Sequence, residues 1–91
     1  MLRNIKREYT LIPSDSRKSF YNKCKVFETE NEFRFLQSYD TIVACEDSNG
    51  KIHRLWDDWS STTGRHIKEF CGLNKSEWDK LEVESESEMG A

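Results

Sequence analysis

Ninety-one residues suit one domain with a small core, because a chain of this length buries only about 60–65% of the surface it exposes when unfolded. With 35% hydrophobic and 12% aromatic residues, that core must be built from large side chains, which excludes a disordered chain and an internal pocket for a drug-sized ligand. The net charge of −3 hides a basic opening (Arg3, Lys6, Arg7, Arg17, Lys18, Lys23 and Lys25 against Glu8 and Asp15) and an acidic middle and end, an asymmetry that steers charged partners.

In chain order, residues 8–12 are β-prone and stop at Pro13, as a short edge strand would. Ser14, Asp15 and Ser16 offer helix caps, and a short helix is predicted over 17–22. Residues 25–29 and 32–37 then read as strands flanking a tight two-residue loop at Glu30 and Asn31. Their alternation puts Phe33 and Phe35 on one face and Arg34 on the other. Residues 40–46 form the most apolar strand, expected at the centre of the sheet. Asn49-Gly50 marks a hairpin in which both turn residues take positive φ, and 51–56 returns with Ile52 and Trp56 on one face and Leu55 on the other.

A helix follows. Ser60 or Ser61 caps it, Ile67, Phe70 and Cys71 recur at helical spacing, and Gly72 falls at the left-handed position beyond its end. Asn74-Lys75-Ser76-Glu77 has the form of a capping box opening a last helix that carries Trp78 and Leu81. From Glu82 acids alternate with small or polar residues, which predicts a disordered acidic tail over 83–91. The expected fold is α+β: a three- to four-stranded antiparallel β-meander with a short N-terminal helix and one or two C-terminal helices packed on one face. Residues 1–82 form the domain, and the other sheet face is left open for a partner.

No apolar stretch reaches the roughly 18 residues of a membrane span, and residues 1–10 lack the apolar centre of a signal peptide. The three cysteines are odd in number and widely spaced, which points to a reducing cytoplasm and buried structural thiols.

Enzyme chemistry finds little support. Cys24, Cys45, Cys71, His53 and His66 lack the close pairs that aim two ligands at one zinc ion, and no thiol is marked as activated by a histidine. Asp57-Asp58 and Glu46-Asp47 read as solvated turn carboxylates rather than a calcium loop. Gly50, Gly64, Gly72 and Gly90 build no phosphate loop, so no cofactor is expected. The hydroxyl-rich start of the helix at 60–65 could hold an anion beside Arg65, but capping explains it as well. Nucleic-acid binding has a basis in Arg3, Lys6, Arg7, Arg17, Lys18 and Lys23, interleaved with Tyr9, Phe20 and Tyr21, against an overall pI of about 5.4.

Three blocks are more specific: Ser19-Phe20-Tyr21-x-Lys23-x-x-Val26, Ser38-Tyr39-Asp40-Thr41-x-Val43-Ala44, and Ser60-x-Thr62-Thr63-x-Arg65-His66-Ile67-x-Glu69-Phe70. In these the chain resembles a family of small uncharacterised proteins from phages and mobile elements. The resemblance implies a stand-alone module without an established activity. The family usually has alanine at the position of Cys24, which speaks against a catalytic thiol there.

The reading that follows is a non-catalytic protein–protein binder. By analogy with small acidic phage proteins it would inhibit or modulate a host nuclease or defence complex in the host cytoplasm. Its recognition residues would be Glu28, Glu30, Asp47, Asp57 and Asp58, with Tyr39, Trp56 and Trp59 as anchors, since Tyr and Trp dominate interface hot spots. The alternative is a nucleic-acid-binding module using the basic opening. The predicted edge strand also offers a surface for pairing with a second copy.

Overall fold

The computed structural model describes residues 4–14 and 20–89. Five antiparallel strands form one sheet in sequence order: β1 (Ile5–Thr10), β2 (Cys24–Thr29), β3 (Arg34–Ser38), β4 (Thr41–Glu46) and β5 (Ile52–Arg54). Helix α1 (Ser61–Cys71), helix α2 (Lys75–Asp79) and a 3-10 turn (Glu86–Met89) follow. The chain is therefore α+β, with five strands where three or four were expected. The most apolar strand, β4, lies next to the edge, and β3 takes the centre. Apolarity failed as a guide because both sheet faces are covered along β3 as well.

Alternation sorts the side chains onto two faces. Cys24, Val26, Leu36 and Ala44 point to the helices and join Phe20, Val43, Ile67, Phe70 and Trp78 in the main core. Phe27, Phe33, Phe35, Ile42, Cys45 and Leu55 gather on the opposite face. Leu36 pairs with Ala44 while Gln37 pairs with Ile42, so Val43 is an extra, bulged residue. The bulge restores the register of Thr41 without turning Ile42 toward the helices.

Local chemistry sets the helix ends. The Ser60 hydroxyl accepts from the Thr63 amide at the start of α1, and Gly72 closes it at φ 79°. Asn74 and Glu77 form the expected capping box at α2. That box lets a five-residue helix hold Trp78, which is fully buried and donates its indole N–H to the Asp58 carbonyl at 3.0 Å. Arg54 clamps this end of the core. Its guanidinium lies over the Trp78 ring and donates to the carbonyls of Trp56, Trp78 and Leu81.

Several expectations change. The first strand lies at Ile5–Thr10 rather than 8–12. Of the helix predicted over 17–22, positions 17–19 lie outside the described residues, and Tyr21 and Asn22 are left-handed at φ 53° and 61°, in a turn. The β2–β3 loop is longer than two residues: Thr29 N–H donates to Phe33 O, and Glu32 turns the chain at φ 70°. At Asn49-Gly50 only Gly50 takes positive φ, because the Asp47 carboxylate accepts from the amides of Asn49 and Lys51 and shapes the turn itself.

The largest difference is at the C-terminus. Residues 83–89, expected as a disordered tail, fold back over the sheet. Val83 bridges Arg54 in parallel, the Glu84 amide donates to the Arg54 carbonyl at 2.7 Å, and Met89 is buried against Phe35 and Cys45. Alternating acids hide this pattern, since one terminal methionine and one backbone bridge carry it. Through Met89 this segment covers part of the sheet face expected to stay open.

Candidate binding surface

Among the described residues, the Cys24 and Cys45 thiols and the His66 ring are buried. Cys24 and Cys45 have no exposed surface, and burial pushes both thiols up to about 12. Cys71 is half-buried and raised by the same cause. All three are free thiols. A nucleophilic cysteine needs the opposite environment. His66 is fully buried in α1. Its Nδ1 lies 2.7 Å from Ser38 Oγ, which sits 2.8 Å from Thr63 Oγ1, so the ring joins helix to central strand. Its Nε2 has no hydrogen-bond partner among the described residues, and Phe20 meets the ring edge-on at 4.5 Å. Burial and the charge of Arg65 hold the His66 pKa below the ordinary value, so the ring stays neutral at pH 7. No three potential metal ligands converge among the described residues.

What remains is the outer surface, and one end of the sheet differs from the other. The turn before β2 and the β3–β4 turn are clasped by backbone hydrogen bonds: the Tyr39 amide donates to Lys23 O at 2.8 Å, and the Lys23 amide to Phe20 O at 2.9 Å. Tyr21 and Tyr39 occupy these turns, 65% and 48% exposed. Both are left-handed, at φ 53° and 56°, as is Asn22 at 61°. A bulky residue at positive φ costs roughly 1–3 kcal/mol, a cost that clusters at functional sites. Glycine would sit there without strain. Beside them a shallow cleft of about 250 Å³ is lined by Asn22, Lys23, Lys25, Gln37, Tyr39 and Asp40. Lys25 and Gln37 are cross-strand partners, and the Gln37 amide donates to Tyr39 O at 2.9 Å.

The residues singled out in the sequence do not form one patch. Tyr39 lies at this tyrosine end. Glu28, Glu30 and Asp47 lie toward the other end, on β2 and in the β2–β3 and β4–β5 turns. Glu28 is bound by the Arg7 guanidinium through two hydrogen bonds of 3.0 Å, which hold its carboxyl below the usual range. Asp47 is hydrogen-bonded to His53. In the β5–α1 loop, Asp57 is exposed, while the Asp58 carboxylate caps the Trp59 amide and its carbonyl holds Trp78. Trp56 and Trp59 are half-buried against the main core, so neither is a free anchor.

The basic opening is divided in the same way. Lys6 pairs with Glu32 at 3.1 Å and Arg7 with Glu28 at 2.9 Å. Lys23 stands at the tyrosine end, and Arg3, Arg17 and Lys18 lie outside the described residues. The sequence reading named Tyr21 and Lys25 only within the basic opening and did not place them at the same end of the sheet as Tyr39. Asn22 beside Tyr21 was the available signal, because asparagine tolerates the left-handed turn that a helix excludes.

No helix among the described residues is long and apolar enough to cross a membrane. Comparison with curated proteins and with solved structures yields no match. A family model matches residues 9–86, spanning all five strands and both helices apart from the start of β1, and the chain therefore belongs to that family of unknown function, DUF8033.

Proposed function

We propose that this domain is a non-catalytic protein-binding module that engages its partner through the tyrosine end of the sheet. The observation that carries the reading is the pair of exposed, left-handed tyrosines in two hydrogen-bonded turns. Tyrosine supplies large contact area at low entropic cost, and the clasped turns present it already ordered. Burial of Cys24, Cys45 and His66 supports a role for the outer surface rather than for these groups. Phage origin and inhibition of a host nuclease or defence complex extend this proposal by analogy of gene class alone.

A second reading, nucleic-acid binding, draws on Lys23 and Lys25 beside the same tyrosines, since aromatic faces stack on bases and lysines neutralise phosphates. Capture from cell lysate by the full chain, with and without nuclease, separates the two. The protein-binding reading expects partners that survive nuclease and are lost with Tyr21→Gly/Tyr39→Gly, a variant that removes the rings and relieves the backbone. Capture abolished by nuclease, or binding that falls steeply between about 50 and 200 mM salt, assigns the surface to nucleic acid instead. Capture unchanged by the double variant removes the tyrosine end from the function.

A further inference from the structure

We propose that Asp47, His53 and Glu84 form a pH-operated latch: with His53 protonated the 83–89 segment is held across the second sheet face, and loss of the ring proton releases it. The geometry is specific. His53 Nε2 lies 2.8 Å from Asp47 Oδ2, and Nδ1 lies 2.8 Å from Glu84 Oε2. Both nitrogens therefore face a carboxylate, and only the imidazolium can donate to both. A neutral ring has one N–H. Its other nitrogen would then set a lone pair against a carboxylate oxygen.

Glu84 is the partner that lets go. Asp47 is held independently, because its other oxygen accepts from the amides of Asn49 and Lys51. Glu84 belongs to the returning segment, which the backbone bridge to Arg54 and the buried Met89 also hold. Release uncovers Phe35 and Cys45, which Met89 otherwise covers beside the half-buried Phe33, Ile42 and Leu55.

The direction in pH follows from the groups that face the ring. Burial pulls the His53 pKa down, but hydrogen bonds and charge from Asp47 and Glu84 outweigh it and leave it above the ordinary 6.5. The stabilisation is complete below the unfolded value and is lost as pH rises through the raised folded value. Asp47 is held below its ordinary 3.8, chiefly by the hydrogen bond from His53. Cys45, opposite His53 on β4, is pushed up to about 12 by burial and by Asp47, Glu46 and Glu84, and so stays neutral throughout.

The test is oxidation of Met89 by hydrogen peroxide, followed by peptide mass spectrometry at pH 6 and pH 9, with the His53 ring titration read by NMR on the same chain. A thioether needs no proton loss to react, so its rate reports access. Met89 should oxidise at least threefold faster at pH 9, with a midpoint matching His53. Glu84→Gln, which lies outside the sheet, should raise the rate at pH 6, and His53→Gln should make it independent of pH. Equal wild-type rates at the two pH values overturn the proposal. So does a His53 ring that keeps its proton to pH 9, or a His53→Gln chain with the wild-type pH dependence.

Discussion

At Gly64 the usual rule for glycine in a helix reverses. Replacing a mid-helix glycine by alanine normally gains about 1 kcal/mol. Here a Cβ would fall inside van der Waals contact of the Trp59 indole, which lies across α1 and meets Trp78 at 6.4 Å between ring centroids. The indole is rigid and packed against the core, so it cannot swing aside cheaply. Gly64→Ala should therefore destabilise by about 1–3 kcal/mol, as overpacking does, and lower the melting temperature by roughly 4–8 °C per kcal/mol. A thermal melt at or above that of the parent would show that Trp59 does not lie on this glycine. Sequence inspection marked Trp59 as an exposed anchor because a loop between charged residues looks solvated. Gly64, with no side chain of its own, makes room for the ring.

Among the elements, the helices were the more legible. Ser60, Gly72 and the Asn74–Glu77 box all act where their spacing put them, because a helix end is set by residues within one turn of it. Asn74→Ala should cost about 1 kcal/mol, read by urea unfolding. Trp78→Ala should cost about 3–5 kcal/mol, enough to unfold much of a domain this small. If both variants cost the same small amount, α2 is not what seats Trp78. The strands were legible as a pattern: Phe33 and Phe35 do share a face, stacked with centroids 6.3 Å apart, and Arg34 turns to the other side, paired with Glu46 at 2.6 Å. Their order was less so. The Val43 bulge and the centrality of β3 depend on which strands pair, and no local signal specifies that. The 83–89 segment was hidden for a related reason. It is held by a parallel bridge to Arg54 and a carboxylate on His53, both contacts distant in sequence.

For the whole molecule, charge is arranged differently from its distribution along the chain. The basic opening and the acidic middle meet as ion pairs across β1, β2 and the β2–β3 turn, where Lys6 and Arg7 bind Glu32 and Glu28. Exposed pairs of this kind add little stability, but they use up charge that the linear sequence seemed to offer to a partner. They also place charged residues along the β1 edge, which discourages strand addition there. The candidate site was thus only partly visible beforehand: Tyr39 was singled out, while Tyr21 was assigned to a helix and the acids were treated as one patch.

Recognition through Tyr21 and Tyr39, rather than through any buried thiol, is the proposed basis of function. Quantitative capture of the same partner by three chains tests this most directly: the parent, Tyr21→Gly/Tyr39→Gly, and Cys24→Ala/Cys45→Ala, each first shown to be folded by thermal melt. Loss of capture of tenfold or more in the tyrosine variant, with the cysteine variant within twofold of the parent, is the predicted result. Full capture without the tyrosines, or loss of it without the cysteines, would contradict it.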